Sequence, residues 1–300
     1  MIAEDTAARP ATLNVDALWL LQALMGVARL APELRARPYA AARSDDWLGR
    51  HPGVDSLREA GLVDAAGAVV PELASRMDVL AVPDVEAVLL VSRGPLVWEP
   101  ERASDPATWR AVPDEQLRVV LARRNGRWVS AARAGDDITI DTVSPELGAG
   151  EPAWLAQTMV SLLDSAHVSE PSRIAPINVP AAQLISATGS AGRGITSTLR
   201  DLGVRGAALA ELAETFEHPA AEAVFYARVF DDTHTRSSAG AVDVRASDAG
   251  RVVTYQLATV RGSGQQWMAI APATLTQVEA GIKAVLAGLN VRNWASHTRF

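Results

Sequence analysis

Cysteine is absent from all 300 residues. That removes disulfides, zinc–thiolate and iron–sulfur sites, and any cysteine nucleophile. Lysine is nearly absent: Lys283 is the only one, and arginine supplies the rest of 28 basic residues against 35 acidic ones, for a net charge of −7. No basic run exists. A nucleic-acid partner is therefore not expected, because phosphate contacts need clustered Lys and Arg. Long apolar runs are missing too. Stretches such as Val85–Val91 are too short to cross a bilayer. The start, Met1-Ile2-Ala3-Glu4-Asp5, is acidic and lacks the apolar segment of a signal peptide. The expectation is a cytoplasmic chain with no membrane insertion.

Catalytic signatures are scarce as well. There is no nucleophile elbow and no H-E-x-x-H. Gly189-Ser190-Ala191-Gly192-Arg193-Gly194-Ile195-Thr196 superficially resembles a phosphate loop. Ile195 stands where the lysine is needed, and a helix rather than a strand precedes it. Asp231-Asp232-Thr233-His234 reads as a turn between strands. His51, His167, His218, His234 and His297 never fall at ligand spacing to one another. No catalytic residue, cofactor or metal is assigned.

What is present is a large apolar fraction, 48%, spread over the whole length. A substantial core follows, and a disordered chain is excluded. Alternation predicts strands at Val85–Ser92, Gln116–Arg124, Arg127–Ala134 and Ile138–Val143. A second set is Glu222–Phe230, Ala241–Ala246, Val252–Val260 and Gln266–Ala271. Asn125-Gly126 predicts a primed hairpin turn. Strands joined by short turns and bracketed by helices give an α+β fold with antiparallel sheet.

The chain also repeats itself. Leu13-Asn14-Val15-Asp16-Ala17 returns as Ile177-Asn178-Val179-Pro180-Ala181. Pro83-Asp84-Val85-Glu86-Ala87-Val88 returns 136 positions later around Glu222, since 222 − 86 = 136. Arg118-Val119-Val120 is matched by Arg251-Val252-Val253, and Trp128 by Trp267. Each half closes on a helix with the same stripe: Leu155, Met159, Leu162, Leu163 and Ala166, then Val278, Ile282, Val285, Leu286 and Leu289. The expectation is a pseudo-two-fold molecule with halves 1–168 and 169–300. Two stretches lack period. Ser169–Pro180 links the halves, and Gly94–Pro113 is a long loop that holds Trp98 and Trp109. Eight Trp against three Tyr and four Phe is an unusual ratio. Trp19, Trp128, Trp154 and Trp267 fall on patterned elements and are expected in the core. The two in the loop suit either a binding surface or a buried fold-back.

Several segments together resemble the EspG family of type VII (ESX) secretion chaperones. They are Leu13–Leu24, Ala31–Tyr39, Asp46-Trp47-Leu48, His51-Pro52-Gly53, Ser92-Arg93-Gly94, Arg118–Arg124 and Gly135–Thr139. Later ones are Asp201-Leu202-Gly203, Pro219–Glu222 and Ala271–Thr274. The likeness is nearest to the members that serve the fifth ESX system, and it departs over Pro100–Pro113. The resemblance implies a pseudo-two-fold α+β fold and a non-enzymatic cytosolic protein. It implies a PE–PPE heterodimer as partner, held at the apolar tip of the PPE helical bundle by the central sheet and the C-terminal helical region. Loop position and side-chain type then select Leu96, Trp98 and Trp109 as contact residues, with Arg236 from the matching second-half loop. The expected state is a monomer or weak homodimer. Two other readings stay open on the residues: an enzyme that uses Asp231–His234 or the glycine-rich loop, and a dimeric scaffold or regulatory protein without a secreted client.

Overall fold

A computed structural model describes residues 9–36, 51–97, 111–145, 150–188, 194–257 and 265–299. The first half runs β1 (Ala11–Asn14), α1 (Val15–Met25), a 3-10 turn (Pro32–Leu34), α2 (Gly53–Glu59) and α3 (Pro71–Ala81). It continues through β2 (Val85–Arg93), β3 (Gln116–Arg124), β4 (Arg127–Ala134), β5 (Asp137–Val143) and α4 (Glu151–Ala166). The second runs β6 (Ile177–Pro180), α5 (Ala181–Thr188), α6 (Ile195–Asp201), α7 (Gly206–Glu217) and β7 (Ala221–Phe230). It ends with β8 (Thr235–Ser237), β9 (Val242–Ser247), β10 (Gly250–Gln256), β11 (Trp267–Pro272) and α8 (Leu275–Ala287).

The strands form one sheet in the order β1-β5-β4-β3-β2-β7-β9-β10-β11-β6, with β8 paired to β7. Its middle is the antiparallel β2–β7 pair, where Leu89 faces Phe225. Those two residues are 136 positions apart, the offset at which the sequence matches itself. Counted outward, β3 and β9 hold the same rank on either side. The match of Arg118–Val120 with Arg251–Val253 therefore joins strands of different rank, β3 and β10. Valine-rich strands look alike, so that segment match carried no register.

Local chemistry explains the elements. Asn14 caps α1 by accepting the Ala17 N–H at 2.8 Å, and Gly26, at φ 66°, ends it. Asn125 and Gly126 both take positive φ, 51° and 77°, as the primed hairpin between β3 and β4 requires. Two strands were not anticipated. β1 and β6 are four-residue edge strands, and β6 lies inside the stretch read as a linker. Pro171 and Pro180 break the alternation there, and Pro180 sits at the last position of its edge strand, where a missing N–H does no harm. The short β8 was also unforeseen.

Alternation along the strands divides the core. One face, from β2 and β7 outward, packs on α4 and α8 through Leu89, Phe225, Met159, Leu163 and Ile282. Among the described residues, helices cover the opposite face at its ends. α1, α2 and α3 cover β3 to β5 through Leu18, Leu57, Leu73 and Met77. α5, α6 and α7 cover β10 and β11 through Leu184, Leu199 and Leu212. Neither end cluster includes a residue of β2 or β7.

Candidate functional site

This leaves a strip on the second face, between the two helical groups, floored by the central strands. β2 turns Glu86, Val88, Leu90 and Ser92 to it, and β7 turns Glu222, Val224, Tyr226, Arg228 and Phe230. Val88 and Leu90 are buried, while Val224, Tyr226 and Phe230 keep part of their surface open. An apolar floor flanked by charge suits docking: the apolar part supplies affinity and the charges supply selection.

Two charge clusters bound the strip. In the first, Arg228 donates to Glu86 Oε2 at 3.0 Å and to Glu33 Oε2 at 2.9 Å, and its second nitrogen pairs with Glu33 Oε1. Tyr226 donates to Glu33 at 2.5 Å. Burial pushes the Glu86 carboxyl up to about 7, with Arg228 pulling against it and Glu33 adding to the rise. Burial and the neighbouring Glu33 also raise the Tyr226 hydroxyl. Glu33 comes from the 3-10 turn Pro32–Leu34. Arg118 fixes that turn by donating to the Glu33 carbonyl at 3.3 Å, and Arg133 by donating to the carbonyls of Leu34 and Arg35 at 2.5 and 2.9 Å.

The second cluster is Glu222, Asp243 and Arg245. Arg245 donates to Glu222 at 3.0 Å and to Asp243 Oδ2 at 2.9 Å, and its guanidinium lies over the Phe216 ring. The other oxygen of Glu222 accepts the Leu96 backbone N–H at 2.8 Å. Gln116 donates to the Val97 carbonyl at 3.0 Å. Residues 94–97 are thus tied across the end of the strip, with Val97 presented at 61% exposure.

The selected contact residues divide. Leu96 lies at the strip, half-buried. Trp98 and Trp109 lie outside the described residues, as does the Asp46-Trp47-Leu48 segment. Arg236 does not join Leu96. It is paired with Val229, on the face that packs on α4 and α8. There it bonds Asp231 at 3.0 Å and the carbonyls of Leu289 and Asn290 at 3.4 and 3.3 Å. Two carbonyls at a helix end attract a cation, which explains the placement. Among the Trp expected in the core, Trp128 is buried against Trp154, but Trp267 is 38% exposed at the end of β11.

Glu86, Arg228, Asp243 and Arg245 were missed. Their signal was visible: charged residues inside strands whose alternate positions are Ala and Val. Glu33 bonds a residue 195 positions away, and no local pattern carries that.

Of the places considered for catalysis, the glycine-rich loop lies outside the described residues over 189–193. Asp231 to His234 is a turn closed by the Asp231 N–H to the His234 carbonyl at 2.9 Å. A cleft of about 520 Å³ at the boundary between the halves is lined by His167, Glu170, Arg173, Glu211 and Asp248. Among the described residues no hydrogen bond joins His167 to a hydroxyl, and no group of His, Asp and Glu is placed to hold a metal.

Comparison with known proteins places the chain. The EspG family pattern matches residues 14–284. The chain is 41% identical to the ESX-5 secretion-associated protein EspG5 of Mycobacterium tuberculosis and to that of Mycobacterium marinum, over 96% of each chain. It is 34% identical, over 60% of its length, to the ESX-2 secretion-associated protein EspG2 of M. tuberculosis. A solved structure, the M. tuberculosis type VII secretion system chaperone EspG5 in complex with the PE25–PPE41 dimer, superposes with a TM-score of 0.82 at 38% identity. The match covers 97% of this chain and all of that one. With a family match over nearly the whole length and the same fold behind it, the chain belongs to the EspG family.

Proposed function

We propose that this chain is a non-enzymatic cytosolic chaperone that binds a PE–PPE heterodimer, keeps it soluble and directs it to a type VII secretion system. The observation that carries the reading is the strip on β2 and β7, an apolar floor bounded by charge that neither helical group covers. A client whose exposed apolar tip would otherwise aggregate is stabilised by a surface of this kind. The EspG5 relative, of the same fold, is solved with such a dimer. We place the client tip over Val224, Tyr226 and Phe230, with Leu96 and Val97 at the side. Trp98 and Trp109 follow in the sequence and lie outside the described residues. The halves, 1–168 and 169–300, act as one unit with one client, so a monomer in solution fits best.

The test is co-expression with the PE25–PPE41 pair, followed by gel filtration. Co-elution in one peak, lost when Val97 is replaced by Asp, is the expected result. A pair that stays soluble alone and never co-elutes removes the reading. A concentration-dependent mass by light scattering, without a client, would favour a scaffold instead.

A further inference from the structure

Tyr226 is held at its root, at its tip and over its ring. Its backbone lies within β7, paired with Val88 of β2 on one side. On the other side Ser238 closes on the next residue: its hydroxyl accepts the Ala227 N–H at 3.2 Å, and its own N–H donates to the Ala227 carbonyl at 2.8 Å. At the tip, the Tyr226 hydroxyl donates to Glu33 Oε1 at 2.5 Å. The Arg228 guanidinium lies over the ring, 5.4 Å from its centre. Turning the side chain to another rotamer would break the contacts at the tip and over the ring. The ring nevertheless keeps part of its surface open on the strip.

Glu33 does not need the tyrosine for neutralisation. Arg228 already meets both of its oxygens and pairs with Glu86 as well. The tyrosine hydrogen bond is an addition, and its effect falls on Tyr226. Burial and the charge of Glu33 both raise the hydroxyl, so it stays a donor in neutral solution. Glu33 is itself fixed. It is 1% exposed, and the turn that carries it is tied to β3 and β4 through Arg118 and Arg133. Support thus runs from two strands of the first half, through the turn, to one side chain of the second half. Phe230, further along β7, has no hydroxyl and so no such tether.

An aromatic side chain that must settle during binding gives up part of its contact energy to ordering, whereas one already fixed keeps it. We propose that Tyr226 is a preset aromatic anchor for the client and that Glu33 is its positioning residue, acting through the hydroxyl without touching the client. This rests on the chaperone reading above and adds how one contact is set. The proton of the hydroxyl is committed to Glu33, and Glu86 lies close by on the other side of Arg228. The client group seated on the ring is therefore apolar and not a carboxylate.

The experiment is a double-mutant cycle, read as the affinity for the PE25–PPE41 dimer by calorimetric titration, with the thermal midpoint of each free chain recorded beside it. Tyr226→Phe keeps the ring and removes the tether. It should weaken binding about threefold to tenfold, the cost of ordering one side chain. Glu33→Ala should weaken binding at least as much. Once Glu33 is Ala, adding Tyr226→Phe should change the affinity by no more than about twofold, because the hydroxyl has lost its partner. Tyr226→Ala, which removes the ring, should cost more than Tyr226→Phe. If Glu33→Ala does not fold, the comparison of Tyr226→Phe with wild type and with Tyr226→Ala still decides. Tyr226→Phe binding as tightly as wild type, whatever its midpoint, overturns the proposal and leaves the chaperone reading standing. So does an equal loss with and without Glu33, or a Tyr226→Ala chain no weaker than Tyr226→Phe. A wild-type chain that does not bind the dimer overturns both.

Discussion

Glu86 is a residue whose burial costs the fold stability. It stands in the middle of an apolar strand, is almost fully buried, and shares Arg228 with Glu33. Its carboxyl is raised by burial from 4.5 to about 7. The folded chain therefore holds a proton that the unfolded chain releases at the ordinary carboxyl value. Stability falls as pH rises through the window from 4.5 to about 7 and is level above it. The whole shift corresponds to at most about 3 kcal/mol. Glu86→Gln keeps the shape and an oxygen for Arg228 but carries no charge. Its urea midpoint should match the wild type near the acid end of the window and exceed it above about pH 7. Equal pH dependence in the two chains would show that Glu86 ionises freely. Removing the cation has the opposite effect. Arg228→Met leaves Glu33 and Glu86 buried together without compensation, at a cost of about 3–5 kcal/mol. At this scale the sequence was informative only about oddity. A charge amid Val85–Val91 can be seen, but its partner in a turn before α2 cannot, because the pairing depends on how the halves meet.

At the scale of elements, close approach decides more than propensity. The His51-Pro52-Gly53 motif, quoted as part of the family likeness, has a packing reason. A Cβ on Gly53 would sit 2.6 Å from the Asp16 carbonyl and 2.7 Å from the Ala17 Cα, so only glycine lets α2 start against α1. His51 accepts the Gly53 N–H at 3.0 Å and meets Trp19 edge to face. Gly281 does the same for α8. A Cβ there would lie 2.9 Å from the Tyr255 ring and 3.1 Å from Val242, which seats the helix closely on β9 and β10. Gly281→Ala gains helix propensity but overpacks. The net expectation is a loss of about 1–3 kcal/mol by chemical denaturation; a gain would mean that Tyr255 can turn aside. Arg123 provides the third close fit. It is 2% exposed and donates to Glu151 at 2.8 Å and to the carbonyls of Ala295, Trp294 and His297 at 2.7, 2.6 and 3.1 Å. It straps the chain after α8 onto β3. The hairpins and the helix stripes were legible because their signals are local and periodic. The edge strands β1 and β6 were not, since four residues hold too little alternation to stand out beside the helices that follow them. The strap was not legible either: an Arg in a strand does not announce which carbonyls it will collect.

For the whole molecule, the question is whether the two halves are units or parts. The repeats in the sequence pointed to two halves, meeting near residue 168, within a single compact molecule. The packing is in keeping with parts of that kind. The sheet runs unbroken through the β2–β7 pair, registered from Val85 with Val229 to Arg93 with Ala221. α4 ends the first half yet packs on α8 and β7 of the second, within one cluster that draws on both. Cutting at the boundary would uncover that cluster and leave β2 and β7 as long, apolar edges prone to self-pairing. Unfolding should therefore be a single event. The tryptophans make this measurable. Trp19, Trp47, Trp98, Trp109, Trp128 and Trp154 lie in the first half, and only Trp267 and Trp294 in the second. Fluorescence thus reports mainly the first half, while far-ultraviolet circular dichroism reports helices and strands of both. In urea the two transitions should coincide, with one midpoint and one slope. Separate midpoints would show that the halves fold on their own. The strip on β2 and β7 would then lie at a movable joint, whereas coincident transitions make it a rigid floor, preorganised for a client before the client arrives.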